Sequence, residues 1–183
     1  MVCNANHCKE SSCKIERGKN VTNRLLIGVL GNRNSGKSQT WNTMFGRKVN
    51  RGKKPRFLEL RTGEGVEVFL VSGSFEERKE YAGDILGNQD CRIVLCSMQY
   101  TEDVQKTLDY LIEHDFYLYI QWLNPGYDDP GEVWDRLDLV NQILSVPSTF
   151  SIRNGQNDAN ARVQEMREFI YGWAKYRNLL LSR

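Results

Sequence analysis

Eight consecutive residues, Gly31-Asn32-Arg33-Asn34-Ser35-Gly36-Lys37-Ser38, place two glycines, a lysine and a hydroxyl at a spacing suited to holding an anion and a metal ion. Gly31 and Gly36 let the backbone turn where a Cβ would clash. The N–H groups of Asn34, Ser35, Gly36, Lys37 and Ser38, with Gln39 just beyond, can then converge on one anion. Lys37 would reach the β- and γ-phosphates of a nucleoside triphosphate and offset charge as the terminal phosphoryl group leaves. The short neutral hydroxyl of Ser38 suits one coordination position on a Mg²⁺ ion that takes its other ligands from water and phosphate oxygens. A chance match to this pattern in a chain of this length comes to about one per cent.

Such a loop works only between a strand and a helix, and the flanking sequence supplies both. The apolar run Leu25 to Leu30 reads as a strand buried on both faces, and the segment from Lys37 to about Phe45 reads as a helix whose N-terminus adds positive potential to the loop. Further on, FLEL and VEVFLV flank a short Gly-containing connection, which predicts a hairpin near residues 57–71. The alternation then becomes regular. FEERKEYAGDILG reads as one helix ending at Gly87, RIVLCS as a strand, TEDVQKTLDYLIEHD as a helix, YLYIQWL as a strand, PGEVWDRLDLVNQILS as a helix and STFSI as the last strand. In the closing helix, Val163, Met166, Ile170, Trp173 and Leu180 share a stripe expected to face the core. The pattern predicts a three-layer α/β domain over residues 24–183, preceded by a polar Cys-containing tail over residues 1–23.

The motif GNRNSGKS, without a departure from GxxxxGK(S/T), resembles the Walker A sequence of the P-loop NTPase superfamily, and the six-strand alternation from Arg24 to Leu181 is similar to that superfamily's domain. The resemblance implies a mostly parallel sheet between helices, with ATP or another nucleotide and Mg²⁺ at the C-terminal ends of the strands. It leaves reaction and substrate open. It also implies an acidic residue at the end of a second strand, yet VEVFLV runs into Ser72-Gly73-Ser74. Glu76 and Glu77 follow shortly, and Glu76 is taken as a candidate catalytic carboxylate beside Lys37. The Asp-x-x-Gly and Asn-Lys-x-Asp motifs of small GTPases are missing, with Ser72-Gly73-Ser74-Phe75 and Trp122-Leu123-Asn124-Pro125 in their places, so ATP is favoured over GTP.

Three functions fit these residues: a slow Mg²⁺-dependent NTP hydrolase acting as a nucleotide-state switch, a small-molecule or nucleotide kinase, and a non-catalytic nucleotide-holding scaffold. Asp128 and Asp129 in the loop NPGYDDPGE stand where a kinase would need an acceptor-side carboxylate, and Arg153 could approach a base or phosphate. The basic run from Arg47 to Arg56 is a candidate surface for a protein partner. Within that run no aromatic residue interleaves with the charges, so a nucleic-acid stacking platform is not expected.

Composition narrows the rest. With 40% hydrophobic and 26% charged residues among 183, disordered, collagen-like and coiled-coil classes are excluded. The balance of 25 Lys plus Arg against 23 Asp plus Glu, a net +2, gives no global electrostatic case for nucleic acid or a membrane surface. No apolar run approaches the roughly 18 residues of a membrane span, and MVCNANHCKESSCKIERGKN lacks the apolar core of a secretory signal, so a cytoplasmic location is expected. Reduced thiols follow from that. Cys91 and Cys96 read as small apolar strand residues, and the four-residue gaps of Cys3, Cys8 and Cys13, with His7, do not reproduce the paired spacing of a tight zinc site.

Overall fold

The computed structural model describes residues 22–50, 52, 54–126 and 134–183. The tail residues Cys3, His7, Cys8 and Cys13, and the loop residues Asp128 and Asp129, lie outside the described residues. In chain order the elements are β1 (Arg24–Gly31), α1 (Lys37–Phe45), β2 (Arg56–Arg61), β3 (Glu64–Val71), α2 (Phe75–Arg78), α3 (Ala82–Leu86), β4 (Ile93–Gln99), α4 (Val104–Glu113), β5 (Phe116–Leu123), α5 (Leu139–Leu144), β6 (Ser148–Arg153), α6 (Asn160–Tyr176) and β7 (Leu181–Ser182).

Seven strands form one mixed, mostly parallel sheet in the order β2-β3-β4-β1-β5-β6, with β7 pairing β3. Strands β3, β4, β1, β5 and β6 run parallel, β2 closes an antiparallel hairpin onto β3, and β7 adds Leu181 and Ser182 opposite Gly65 and Glu64. The central strands are apolar on both faces because helices cover both. Leu26 and Leu30 of β1 pack with Phe75, Leu86, Leu108, Leu111 and Ile143 from α2 to α5 on one side. Leu25, Ile27 and Val29 pack with Trp41 and Met44 of α1 and Val163, Met166 and Ile170 of α6 on the other. Among the described residues no helix is long and apolar enough to cross a membrane.

The bounds of α1 and the hairpin follow the sequence reading; four other elements depart from it. The segment FEERKEYAGDILG is two short helices, because Lys79 takes a left-handed conformation (φ 55°) and caps α2 before α3 begins. Among the described residues of the expected helix over PGEVWDRLDLVNQILS, those from 134 on, the helix begins at Leu139, after a left-handed Asp138 (φ 54°). There the Asp135 carboxylate accepts the N–H groups of Leu139 and Val140 at 3.0 and 2.9 Å and so satisfies the start of α5. On α6, Val163, Met166, Ile170 and Trp173 are buried as expected, but Leu180 lies beyond the helix. The seventh strand, β7, has no counterpart in the sequence reading.

Candidate functional site

β1 ends at Gly31 in the middle of the sheet, where the chain turns through residues 32–36 into α1. Lys37 opens that helix and is 7% exposed. Its ammonium donates to the Gly31 carbonyl at 2.8 Å and to the Asn32 carbonyl at 2.6 Å, so the side chain folds back across the loop that precedes it. Burial lowers the Lys37 pKa, while the carboxylates of Glu77 and Glu76 work against that shift. The sequence therefore delivers a desolvated cation to the centre of the loop, with two acids acting on it through space.

The helix N-terminus carries no cap of its own. Gly36 stands at the N-cap with φ 100°, offers no side chain to the first turn, and no acidic residue follows within that turn. Thr40 N–H makes the first bond back to Gly36 O, at 3.0 Å, so the N–H groups of Lys37, Ser38 and Gln39 precede any helical acceptor. Ser38 and Gln39 are exposed there, as are Arg33 and Asn34 (φ 62°), while Ser35 is buried.

Behind the loop stands the segment after β6. A Cβ on Gly36 would strike the Gly155 carbonyl, and a Cβ on Gly155 would strike the Ser35 carbonyl, so two backbones touch where neither residue has a side chain. Gly155 N–H donates to Asn124 Oδ1 at 3.1 Å, and Asn124 N–H donates to Arg153 O at 3.1 Å, which pins this segment to the end of β5. Arg162, 3% exposed on α6, closes the arrangement. Its Nε donates to Thr40 Oγ1 at 3.0 Å, and its Nη1 donates to the carbonyls of Asn154, Asn157 and Asp158 at 3.1, 3.2 and 3.1 Å. Thr40 in turn donates to Gly36 O at 3.1 Å. Burial lowers the Arg162 pKa, with Asp158 opposing. Arg162, Thr40 and Asn124 did not emerge from motif reading. Arg162 nevertheless lies four residues before Met166 on the apolar stripe of α6, and a cation on a buried stripe is itself a signal.

The neighbour of β1 on the hairpin side is β4, not β3, so the end of VEVFLV is one strand removed from Gly31. The buried carboxylate acting on Lys37 belongs instead to Glu76 in α2, which is 9% exposed. Its Oε2 accepts the Gln99 N–H at 3.0 Å and its Oε1 accepts the Thr107 hydroxyl at 2.7 Å. Gln99 ends β4 and is the register partner of Gly31, and the next N–H, of Tyr100, donates to Gly31 O at 3.4 Å. Burial raises the Glu76 pKa, while the Gln99 and Thr107 bonds and Lys37 pull the other way. Glu77 is exposed, with its N–H donating to Ser74 Oγ at 3.3 Å. A second tie joins α1 to the end of β3: Trp41 Nε1 donates to Ser97 Oγ at 2.8 Å, and Ser97 donates to Ser72 O at 2.9 Å.

Arg153 does not face the loop as a free cation. Its Nε pairs with Glu165 at 2.8 Å and its Nη1 donates to Ile152 O at 2.7 Å. Cys91 and Cys96 are buried, their thiols donating to Ile93 O at 3.3 Å and to Ser97 O at 3.2 Å. Among the described residues no group of three or more His, Cys, Asp or Glu side chains could hold a metal ion by itself.

No known family's sequence pattern matches the chain, and no curated protein matches it. Among solved structures it is similar to a mutation variant of SsGBP, with 18% identity and a TM-score of 0.44, over 84% of this chain and 58% of that one.

Proposed function

We propose that the chain is a small P-loop protein that binds a nucleoside triphosphate, ATP favoured, with Mg²⁺ and hydrolyses it slowly. The observation that carries the reading is Lys37 folded across its own loop, with the Glu76 carboxylate, anchored on the register partner of Gly31, acting on it through space. Phosphate oxygens would bind the N–H groups of the loop and first turn and take over the Lys37 ammonium from its two carbonyls. The donor chemistry fits Mg²⁺: the exposed Ser38 hydroxyl is a hard oxygen ligand, and without an all-protein cage the ion would keep water and phosphate oxygens. When bound, Mg²⁺ would offset charge on the β- and γ-phosphates. Glu76 then orients a water on the γ-phosphate side and accepts its proton. Both carboxylate oxygens already accept one hydrogen bond but retain a second lone pair. Burial raises the Glu76 pKa on balance, which strengthens it as a base, and the two donors hold back part of that rise.

The basic segment from Arg47 to Arg56 follows α1 directly, so movement of α1 with nucleotide state would reach a partner through it. A second reading, phosphotransfer to a small acceptor, draws on one feature. A cavity of about 320 Å³ lies beside Glu76, lined also by Thr107, Tyr81, Lys79 and Lys106.

Thermal unfolding of wild type and Lys37→Ala with ATP, GTP, ADP or no nucleotide, each with and without Mg²⁺, tests the reading, with phosphate release measured alongside. A Mg²⁺-dependent shift with ATP that Lys37→Ala removes supports it, and no shift with any nucleotide overturns it. Tight nucleotide that is never turned over would leave the scaffold function, and phosphate retained on an added acceptor would favour the kinase.

A further inference from the structure

The C-terminal end of α1, β2 and α6 enclose a cleft of about 670 Å³ whose lining includes Phe45, Arg47, Phe57, Glu59, Arg167 and Arg183. Its charge is unbalanced at close range. Glu59, the one acidic side chain among the described lining residues, turns its Oε1 to the Gly63 N–H at 3.2 Å, into the hairpin turn. Arg167 is fixed by carbonyls alone, those of Met44, Glu59 and Leu60. Such bonds orient the guanidinium without neutralising it. Arg47 is exposed and pairs with no acid among the described residues. Arg56 sits alongside, 5.7 Å over the Phe45 ring; burial lowers its pKa, and the like charge of Arg47 lowers it further.

The fold also supplies what the linear sequence lacked. Aromatic residues do not interleave with the basic run, yet folding lays Arg56 of that run over Phe45 and brings Arg183, from the far end of the sequence, to 4.1 Å over Phe57. Arg56 Nη2 donates to Asn50 O at 3.1 Å, a neutral acceptor that leaves its charge uncompensated, and a guanidinium over a ring can still direct its other N–H groups to phosphate. The half-buried rings offer apolar surface between the charges. β2 is the outer strand of the sheet among the described residues, and no further described strand covers that side. We propose that this cleft binds the phosphodiester backbone of nucleic acid without reading its sequence. A phosphodiester chain matches both features: one charge per unit for the arginines, with sugars and base faces between for Phe45 and Phe57. An acidic peptide matches only the first.

Fluorescence anisotropy with labelled, mixed-sequence single-stranded DNA and RNA of about 20 nucleotides, and the corresponding duplex, tests this across salt concentrations. Three phosphate contacts predict a slope of log K against log salt of about −2 for single strands. Arg47→Glu together with Arg183→Glu should lower affinity at least tenfold at about 50 mM salt, where counterion release is strongly felt, while the melting temperature without ligand stays unchanged. Lys37→Ala should bind as wild type does, so the proposal stands or falls apart from the nucleotide site. Absence of binding at low salt, or binding that survives the double charge reversal, overturns it. Displacement by polyglutamate at equal charge concentration also overturns it, and assigns the cleft to an acidic protein instead.

Discussion

Glu76 Oε2 accepts the N–H of Gln99 at 3.0 Å, and Gln99 lies directly opposite Gly31 in the β1–β4 ladder. A side chain from a four-residue helix is therefore fixed relative to the start of the glycine loop by the main chain of the intervening strand.

If Glu76 takes the proton of the attacking water, Glu76→Gln should lower kcat about a hundredfold, within the range a positioned general base contributes. Nucleotide affinity should change only a few-fold. Gln can keep both anchors, its carbonyl oxygen accepting the Gln99 N–H and its NH2 donating to the Thr107 hydroxyl oxygen, and a companion Thr107→Val isolates the anchoring role. Steady-state phosphate release together with a separate measurement of nucleotide binding makes the comparison.

The pH dependence has a definite sign. Because burial raises the Glu76 pKa, the acid limb of the rate profile should lie above the 4.5 of an ordinary glutamate, with activity falling as pH drops through the raised value. The same shift means that ionised Glu76 costs folding stability. Its contribution is most favourable below 4.5 and is lost as pH rises through the folded value. Lys37 gives the alkaline limb: its lowered pKa predicts loss of nucleotide affinity as pH rises, starting below the ordinary 10.5. Rate and binding profiles from acid to alkaline pH check both limbs, and the Glu76→Gln variant should lack the acid limb.

Lys37→Ala should bind no nucleotide measurably. At a nucleotide concentration of a hundred times Kd, wild type gains about 2.7 kcal/mol, and the variant should forfeit all of it. Calorimetric or fluorescence melting curves read the difference directly.

Two glycines should respond in opposite ways to alanine. Gly155→Ala pushes a methyl group into the Ser35 carbonyl, a backbone atom that cannot rotate aside, and should destabilise by about 1–3 kcal/mol. Gly172→Ala, inside α6 with nothing within 4 Å of the new Cβ, should stabilise by about 0.5–1 kcal/mol. Denaturant midpoints at constant slope measure both.

Arg162→Met should cost about 2 kcal/mol or more, since it strands three carbonyls and Thr40 around an apolar side chain. Arg162→Lys recovers part of the charge but not the fork. Melting temperatures of the two variants should fall in that order below wild type.

The glycine loop, α1 and the hairpin were legible because each is written in neighbouring residues: glycine at fixed spacing, a helical stretch ended by Gly46, and apolar runs around a short turn. Strand order was not, because the pairing of β1 with β4 rather than β3 is decided by packing between distant segments. The break at Lys79 was hidden for a different reason. A lysine gives no compositional hint that it will take a left-handed conformation, as glycine or asparagine would. Glu76 was visible as an acid near a helix start, but its return to Gln99 depends on that break and on a strand pairing the local pattern does not encode. Arg162 was the clearest missed signal, a lone cation in register with Met166, Ile170 and Trp173.

The Ser97 hydroxyl has one proton, and with Trp41 donating to it that proton must go to the Ser72 carbonyl. The link thus has a fixed direction and no slack. Tilting the helix that begins at Lys37 would pull on Ser72, two residues ahead of the Ser74 cap of α2 and four before Glu76. The helix that carries the cation and the chain leading to the carboxylate thus share one buried tether inside the sheet.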